Sequence, residues 1–268
     1  MSTEPRRITS RDNPLLQRLR RLVQDGAAYR RLGSAWLEGE HLGLALAARG
    51  RRAEEAVLSE SGWRDERLRR LAALGDRVSV VPDALFASAS TLETPARIGF
   101  LVPVAGDAAE AADTALRPGV PTVVLDRLQD AGNVGSILRS AAALGVAQVV
   151  ALRGTAALWS PKVLRAGMGA HLALHLVEQA QDDALDALAV PLVATSSHGG
   201  TLLPAAPLAR PCAWVFGHEG QGVGATLMAR CALTVRIPQP GGEESLNVAA
   251  AAAICLYESA RRQVAGGG

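Results

Sequence analysis

The sequence predicts an α/β chain with two domains: a C-terminal, mostly parallel sheet with helices on both faces, preceded by a small N-terminal α/β domain. Three observations carry this. From Val120 onward, short apolar runs alternate with helical stretches. The runs PTVVLD, AQVVAL and CAWVFG lack polar alternation, as expected of strands covered on both faces. Between them and the first hundred residues lies AGDAAEAADTALRP, poor in large apolar side chains and ending on a proline. The expected boundaries are therefore 1–104, a linker at 105–118, and 119–268.

In chain order, Asn13-Pro14 opens a helix whose Leu15, Leu19, Leu22 and Val23 recur at helical spacing, with arginines on the other face. SAWLEGEHLGLALAARG reads as a strand turning into a helix, AEEAVLSE as a strand, and WRDERLRRLAALG as one charged amphipathic helix. RVSVV is a strand, and PDALFASAS and ARIGFLVPV complete the first domain. In the second, PTVVLD is a strand, NVGSILRSAAALG a helix stopped at Gly145, AQVVAL a strand, QDDALDAL a helix and PLVAT a strand. CAWVFG, GVGATLMARC and LTVRIP follow as strand, helix and strand, and LNVAAAAAICLYESARR closes the chain as a long helix.

At 268 residues the chain can hold two cores. No apolar run reaches the ~18 residues of a membrane span, and the polar start MSTEPRRITSRDNP lacks a signal-like apolar stretch. Cys212, Cys231 and Cys255 are an odd number without CxxC spacing, which argues against disulfides or zinc and fits a reducing cytoplasm. Lys162 is the only lysine, a bias that base composition explains. The net charge of +2 is unevenly spread: residues 1–31 carry eight arginines against Glu4, Asp12 and Asp25. Arg7, Arg11, Arg18, Arg21, Arg30 and Arg31 are candidates for facing phosphate groups, or else form a solvated helix face.

Ligands of parallel sheets bind outside the carboxyl ends of the strands, and three unusual loops follow strand ends here. In DRLQDAGNVGSILR, Asn133 is either an N-cap or a site residue, and Arg139 either a surface residue or a positioned guanidinium. VFGHEGQGVG holds four glycines that permit close backbone approach. Its Gly220–Ala225 stretch matches GxGxxA, with Glu243 at the right distance, but stands too late in the chain for a dinucleotide fingerprint. His218 beside Glu219 could do acid–base work or none. In IPQPGGEESLNV, Ser245 or Asn247 enters the last helix, with Ser245 the expected N-cap. His171 and His175 lack a HEXXH frame or third ligand, so no metal is expected. No GxSxG elbow or P-loop occurs.

Taken in order, N-x-G-x-x-x-R at Asn133–Arg139, F-G-x-E-G-x-G at Phe216–Gly222 and I-P…S-L-N-V at Ile237–Val248 resemble the three motifs of the SpoU (TrmH-like) RNA ribose 2′-O-methyltransferases of the SPOUT superfamily. The N-terminal ITSRDNPLLQRLRRL and RRLGSAWLEGEHL resemble the ribosomal-protein-like substrate-binding domain of many members. The resemblance implies a C-terminal trefoil knot and S-adenosylmethionine as cofactor, contacted by Gly217, Ile237 and Leu246, with Thr195 nearby. It implies Arg139 as the catalytic arginine, assisted by Asn133, Glu219, Ser245 and Asn247. It also implies a homodimer through the knotted region and an RNA substrate, ribosomal RNA first and transfer RNA second. A non-catalytic RNA-binding protein on the same fold is the alternative. His218 and the PQPGGEE stretch depart from the family pattern.

Overall fold

In a computed structural model of the chain, residues 4–104, 115–241 and 245–265 are described. They form two compact units: 4–104 with 159–172, and 115–158 with 173–265.

The first unit starts with the short strand β1 (Arg6–Arg7) and α1 (Pro14–Gln24). Asn13 caps α1 by accepting from the Leu15 amide, and Pro14 occupies the first turn, where its missing N–H costs nothing. Then come α2 (Ala28–Leu32), β2 (Ser34–Glu38), α3 (Glu40–Ala47), β3 (Ala53–Ser59), α4 (Glu60–Arg64), α5 (Glu66–Ala72), β4 (Gly75–Val81), α6 (Asp83–Ala87) and β5 (Ile98–Pro103). The single helix expected over WRDERLRRL is two, because the Asp65 side chain accepts from the Arg67 amide and starts α5 afresh. The mixed sheet runs β1-β4-β3-β5-β2, with β5 antiparallel to both β2 and β3. Its core gathers Leu37, Leu46, Leu58, Leu68 and Phe100 together with Leu164 and Leu172 from the distant 159–172 segment.

The second unit contains β6 (Thr122–Asp126), α7 (Ala131–Ala143) and β7 (Gln148–Leu152). Helix α8 (Pro161–Gly167), in the segment belonging to the first unit, precedes β8 (His175–Ala180), β9 (Leu192–Thr195), β10 (Thr201–Leu202) and β11 (Ala213–Gly217). The unit ends with α9 (Ala225–Arg230), β12 (Leu233–Arg236) and α10 (Val248–Ala265). All seven strands are parallel, in the order β10-β12-β9-β11-β6-β7-β8. Every residue of β6, β7 and β11 is buried, which is why those runs show no alternation. Polar groups at their start are satisfied: the buried Gln148 side chain bonds Thr122 Oγ1 and both backbone groups of Arg117.

Some elements differ from those expected. The helix expected at QDDALDAL is present as a seven-residue 3₁₀ helix (Asp182–Leu188). Helix α8 and strand β8 were not expected; β8 is a half-exposed edge strand with polar residues in its middle, so its pattern is weak. Helix α7 does end where expected, with Gly145 at φ +82 just past it. Of the expected linker, 105–114 lies outside the described residues.

Candidate active site

Strands β12, β9, β11 and β6 are neighbours, so the loops leaving their carboxyl ends lie side by side. These are the segments after Asp126, Thr195, Gly217 and Arg236. Two of the three sequence motifs enter helices there, at α7 and α10.

The entry to α7 is capped by Asp130, whose carboxylate accepts from the Asn133 amide at 2.7 Å. Asn133 is therefore in the first turn and not the cap, which frees its side chain. The amide of that side chain does two things. Its Nδ2 donates to Glu219 Oε1 at 3.3 Å, and its Oδ1 accepts from Asn247 Nδ2 at 2.9 Å. One residue from each motif is thus joined in a single chain of hydrogen bonds.

Asn247 also caps α10: its Oδ1 accepts from the Ala249 and Ala250 amides. Ser245, the expected cap, lies two residues too early and is exposed. The same asparagine thus ends the third loop and ties it to the first.

Glu219 binds the backbone ahead of α7, accepting from the amides of Asp130 at 3.1 Å and Gln129 at 3.4 Å. Partial burial alone would raise its pKa. Hydrogen bonds from its own backbone amide and from Asn133, Asp130 and Gln129 outweigh that and hold the carboxyl below its ordinary value. An acid so held is ionised and a weak base. Glu219 is an anchor for the helix entrance.

The glycine loop itself is folded tightly over β11. A Cβ at Gly217 would sit 2.1 Å from the Gly222 carbonyl carbon and the Val223 nitrogen, so only glycine fits. His218 Nδ1 accepts from the Gly220 and Gln221 amides at 3.0 and 3.3 Å. That makes this histidine a turn-former. Among the missed residues, Asp126 accepts from the Gly224 amide at 2.7 Å and pairs with Arg127 at 2.8 Å. An acid ending a wholly apolar strand was the available signal.

Arg139 lies in the middle of α7, exposed, and has no hydrogen-bond or ion-pair partner among the described residues. Thr195 Oγ1 donates to the Val215 carbonyl at 3.3 Å, bridging β9 to β11. Ile237 is half-buried and Leu246 39% exposed at the mouth of the third loop. Gln239, in the same loop, has a buried Oε1 with no donor among the described residues.

The six N-terminal arginines divide. Arg18 is committed internally, to Glu54 at 3.1 Å, the Leu32 carbonyl and Ser34. Arg30 lies over the Tyr29 ring and Arg31 pairs with Asp25 at 2.9 Å. The exposed guanidinium groups of Arg7, Arg11 and Arg21 have no partner among the described residues. Among those residues no helix is long and apolar enough to cross a membrane, and no cluster of His, Cys, Asp and Glu could hold a metal. The three cysteines are free, and burial pushes Cys212 and Cys231 to about 11 and Cys255 to about 12.

Known proteins resemble the chain in sequence and in fold. The chain is 33% identical to an uncharacterized tRNA/rRNA methyltransferase of Synechocystis, covering 96% of this chain and 94% of that protein. It is 36% identical to the 23S rRNA (guanosine(2553)-2′-O)-methyltransferase RlmP of Bacillus subtilis, over 50% of this chain and 56% of that one. Among solved structures, an AdoMet-bound rRNA methyltransferase from Sinorhizobium meliloti superposes with a TM-score of 0.81 at 26% identity, covering 98% of this chain and 99% of that one. The SpoU rRNA Methylase family model spans residues 121–257, from the start of β6 into the last helix and across all three loops, and the chain belongs to that family.

Proposed function

We propose that the protein transfers a methyl group from S-adenosylmethionine to a ribose 2′-hydroxyl of structured RNA, with ribosomal RNA as the substrate. The observation that carries this reading is the chain Glu219–Asn133–Asn247, which joins one residue of each motif at the carboxyl edge of a parallel sheet. The relatives named above, an RNA methyltransferase and a 23S rRNA 2′-O-methyltransferase, support the substrate class.

The residues present fit the cofactor. Gln239 offers a buried acceptor with no donor of its own among the described residues, suited to a ligand's amino or hydroxyl group. Thr195, Gly217, Ile237 and Leu246 stand at the ends of adjoining strands or in their loops, and would hold the cofactor there, largely through backbone groups. When bound, S-adenosylmethionine supplies an activated methyl group.

The ribose hydroxyl is a poor nucleophile at neutral pH, so catalysis depends on orientation and on removal of its proton. A guanidinium is a poor base, so Arg139 acts by polarising or orienting a substrate phosphate or hydroxyl. Asn133 and Asn247 fix the helix entrances on either side, and Glu219 holds the glycine loop against α7. Ser245, free of capping duty, remains exposed beside them for a contact with substrate.

In this reading Arg7, Arg11 and Arg21, unpaired among the described residues, face the RNA backbone. A second copy of the chain covers α10, where Ile254 and Tyr257, three residues apart on the helix, are 41% and 59% exposed. The passage of the C-terminal segment through a trefoil knot and a cytoplasmic location belong to the same reading.

Labelled S-adenosylmethionine with purified rRNA tests the function: label should enter RNA, and about a hundredfold more slowly with Arg139→Ala. A folded wild type that binds rRNA without labelling it would favour a binding protein instead.

A further inference from the structure

The Asp126–Arg127 pair after β6 is left unused by the mechanism above, yet it is built with unusual care. Arg127 has φ +58, a left-handed conformation that costs a non-glycine residue energy unless its surroundings enforce it. Its guanidinium makes two bonds to the Asp126 carboxylate, Nε to Oδ1 at 2.8 Å and Nη2 to Oδ2 at 3.1 Å. Two glycines leave it room: a Cβ at Gly154 would lie 3.3 Å from Arg127 Cγ, and one at Gly224 would lie 3.1 Å from Nη2. On its open side is a cleft of about 660 Å³ lined also by Arg153, Asp182 and Thr226, so close packing alone does not fix the side chain.

The pair reaches the far half of the glycine loop. Asp126 Oδ2 accepts from the Gly224 amide at 2.7 Å, and Arg127 Nη1 donates to Gln221 Oε1 at 3.4 Å. Glu219, in the near half, is the residue that grips the entrance of α7. His218 closes the turn on itself, accepting from the amides of Gly220, Gln221 and Gly222, so without the pair the closed turn could swing as a unit about Glu219.

We propose that Arg127, acting with Asp126, is a positioning residue: it clamps the Gln221–Gly224 end of the loop and thereby sets Glu219 against Asn133. Arginine is required because one planar guanidinium must serve the carboxylate twice and still reach Gln221, which a lysine ammonium cannot do. The consequence for turnover rests on the methyltransferase reading; the consequence for the loop does not.

Three variants test it in the full chain: Arg127→Met, which keeps the aliphatic stem, Arg127→Lys, and Gln221→Ala. Amide hydrogen exchange is followed without ligand, then kcat and KM for rRNA. In Arg127→Met, exchange at 218–224 should rise about tenfold or more while β6 and α7 stay protected. Its kcat should fall about tenfold with KM for RNA unchanged. Arg127→Lys should recover part of both, and Gln221→Ala should loosen the loop less than Arg127→Met. Unaltered exchange at 218–224 in Arg127→Met overturns the proposal. So does a rise spread evenly through the sheet, which marks a role in the fold at large. A raised KM with unchanged kcat overturns it too, because Arg127 then touches RNA directly. Should the wild type methylate no RNA, the functional reading fails while the exchange result still decides the clamp.

Discussion

Asn247 shows how much one residue can be asked to do. It caps an 18-residue helix and bonds Asn133 across to the first motif. Replacing it with alanine should lower stability by about 1 kcal/mol through the lost cap and should also cut methyl transfer. Ser245→Ala, outside the cap, should leave the melting temperature unchanged. Equal melting losses in both would show the cap misassigned. Arg139 is the opposite case, exposed and unpaired among the described residues, so Arg139→Ala should leave the melting temperature alone. Its methyl transfer should fall about a hundredfold, as when a single charge-stabilising donor is removed. A melt shifted by several degrees would mean that the residue serves the fold. The motif residues were legible in the sequence because their order and spacing are specific. Which asparagine or aspartate caps which helix was not, since Asp130, Asn133, Ser245 and Asn247 all suit a cap, and only backbone geometry decides between them.

At the scale of elements, the strands wholly buried in the sheet were legible, and those at its edge were not. Strands β6, β7 and β11 announce themselves as unbroken apolar runs; β8 is half-exposed and β10 has two residues, so neither carries a pattern. The glycine loop follows from Gly217: Gly217→Ala must push Gly222 and Val223 away and should abolish tight cofactor binding, measured by calorimetric titration. Wild-type affinity in that variant would contradict the close approach. The last helix is pinned near its end by Arg262, which donates to the carbonyls of Leu203, Pro204 and Ala206 and to Glu258. Hydrogen bonds from Arg261 and Arg262 hold the Glu258 carboxyl at about 2, against an ordinary 4.5. A lowered folded-state pKa stabilises the protein above about pH 4.5, and that contribution fades as the pH falls toward 2. The melting temperature should therefore drop more over that window in the wild type than in Glu258→Gln. Parallel curves would place the acid lability elsewhere.

For the whole molecule, two domains were expected and two compact units are found, but the chain does not divide at one point. Leu164 and Leu172 belong to the core of the first unit although they come from the middle of the second domain's sequence. No local pattern announces such a return, because an amphipathic segment does not reveal which core it joins. Removing residues 1–104 would strip those leucines of their neighbours, so charge reversal is the sounder probe of RNA binding. Arg7→Glu, Arg11→Glu and Arg21→Glu combined should weaken RNA binding and flatten its salt dependence, with melting unchanged; an unaltered salt slope would mean that RNA is held elsewhere. The methyl group should go to a ribose oxygen. If rRNA labelled by the protein is digested with alkali, a 2′-O-methyl ribose blocks cleavage, so the label should be recovered in alkali-resistant dinucleotides. Label recovered only in mononucleotides would place the methyl group on a base and contradict it.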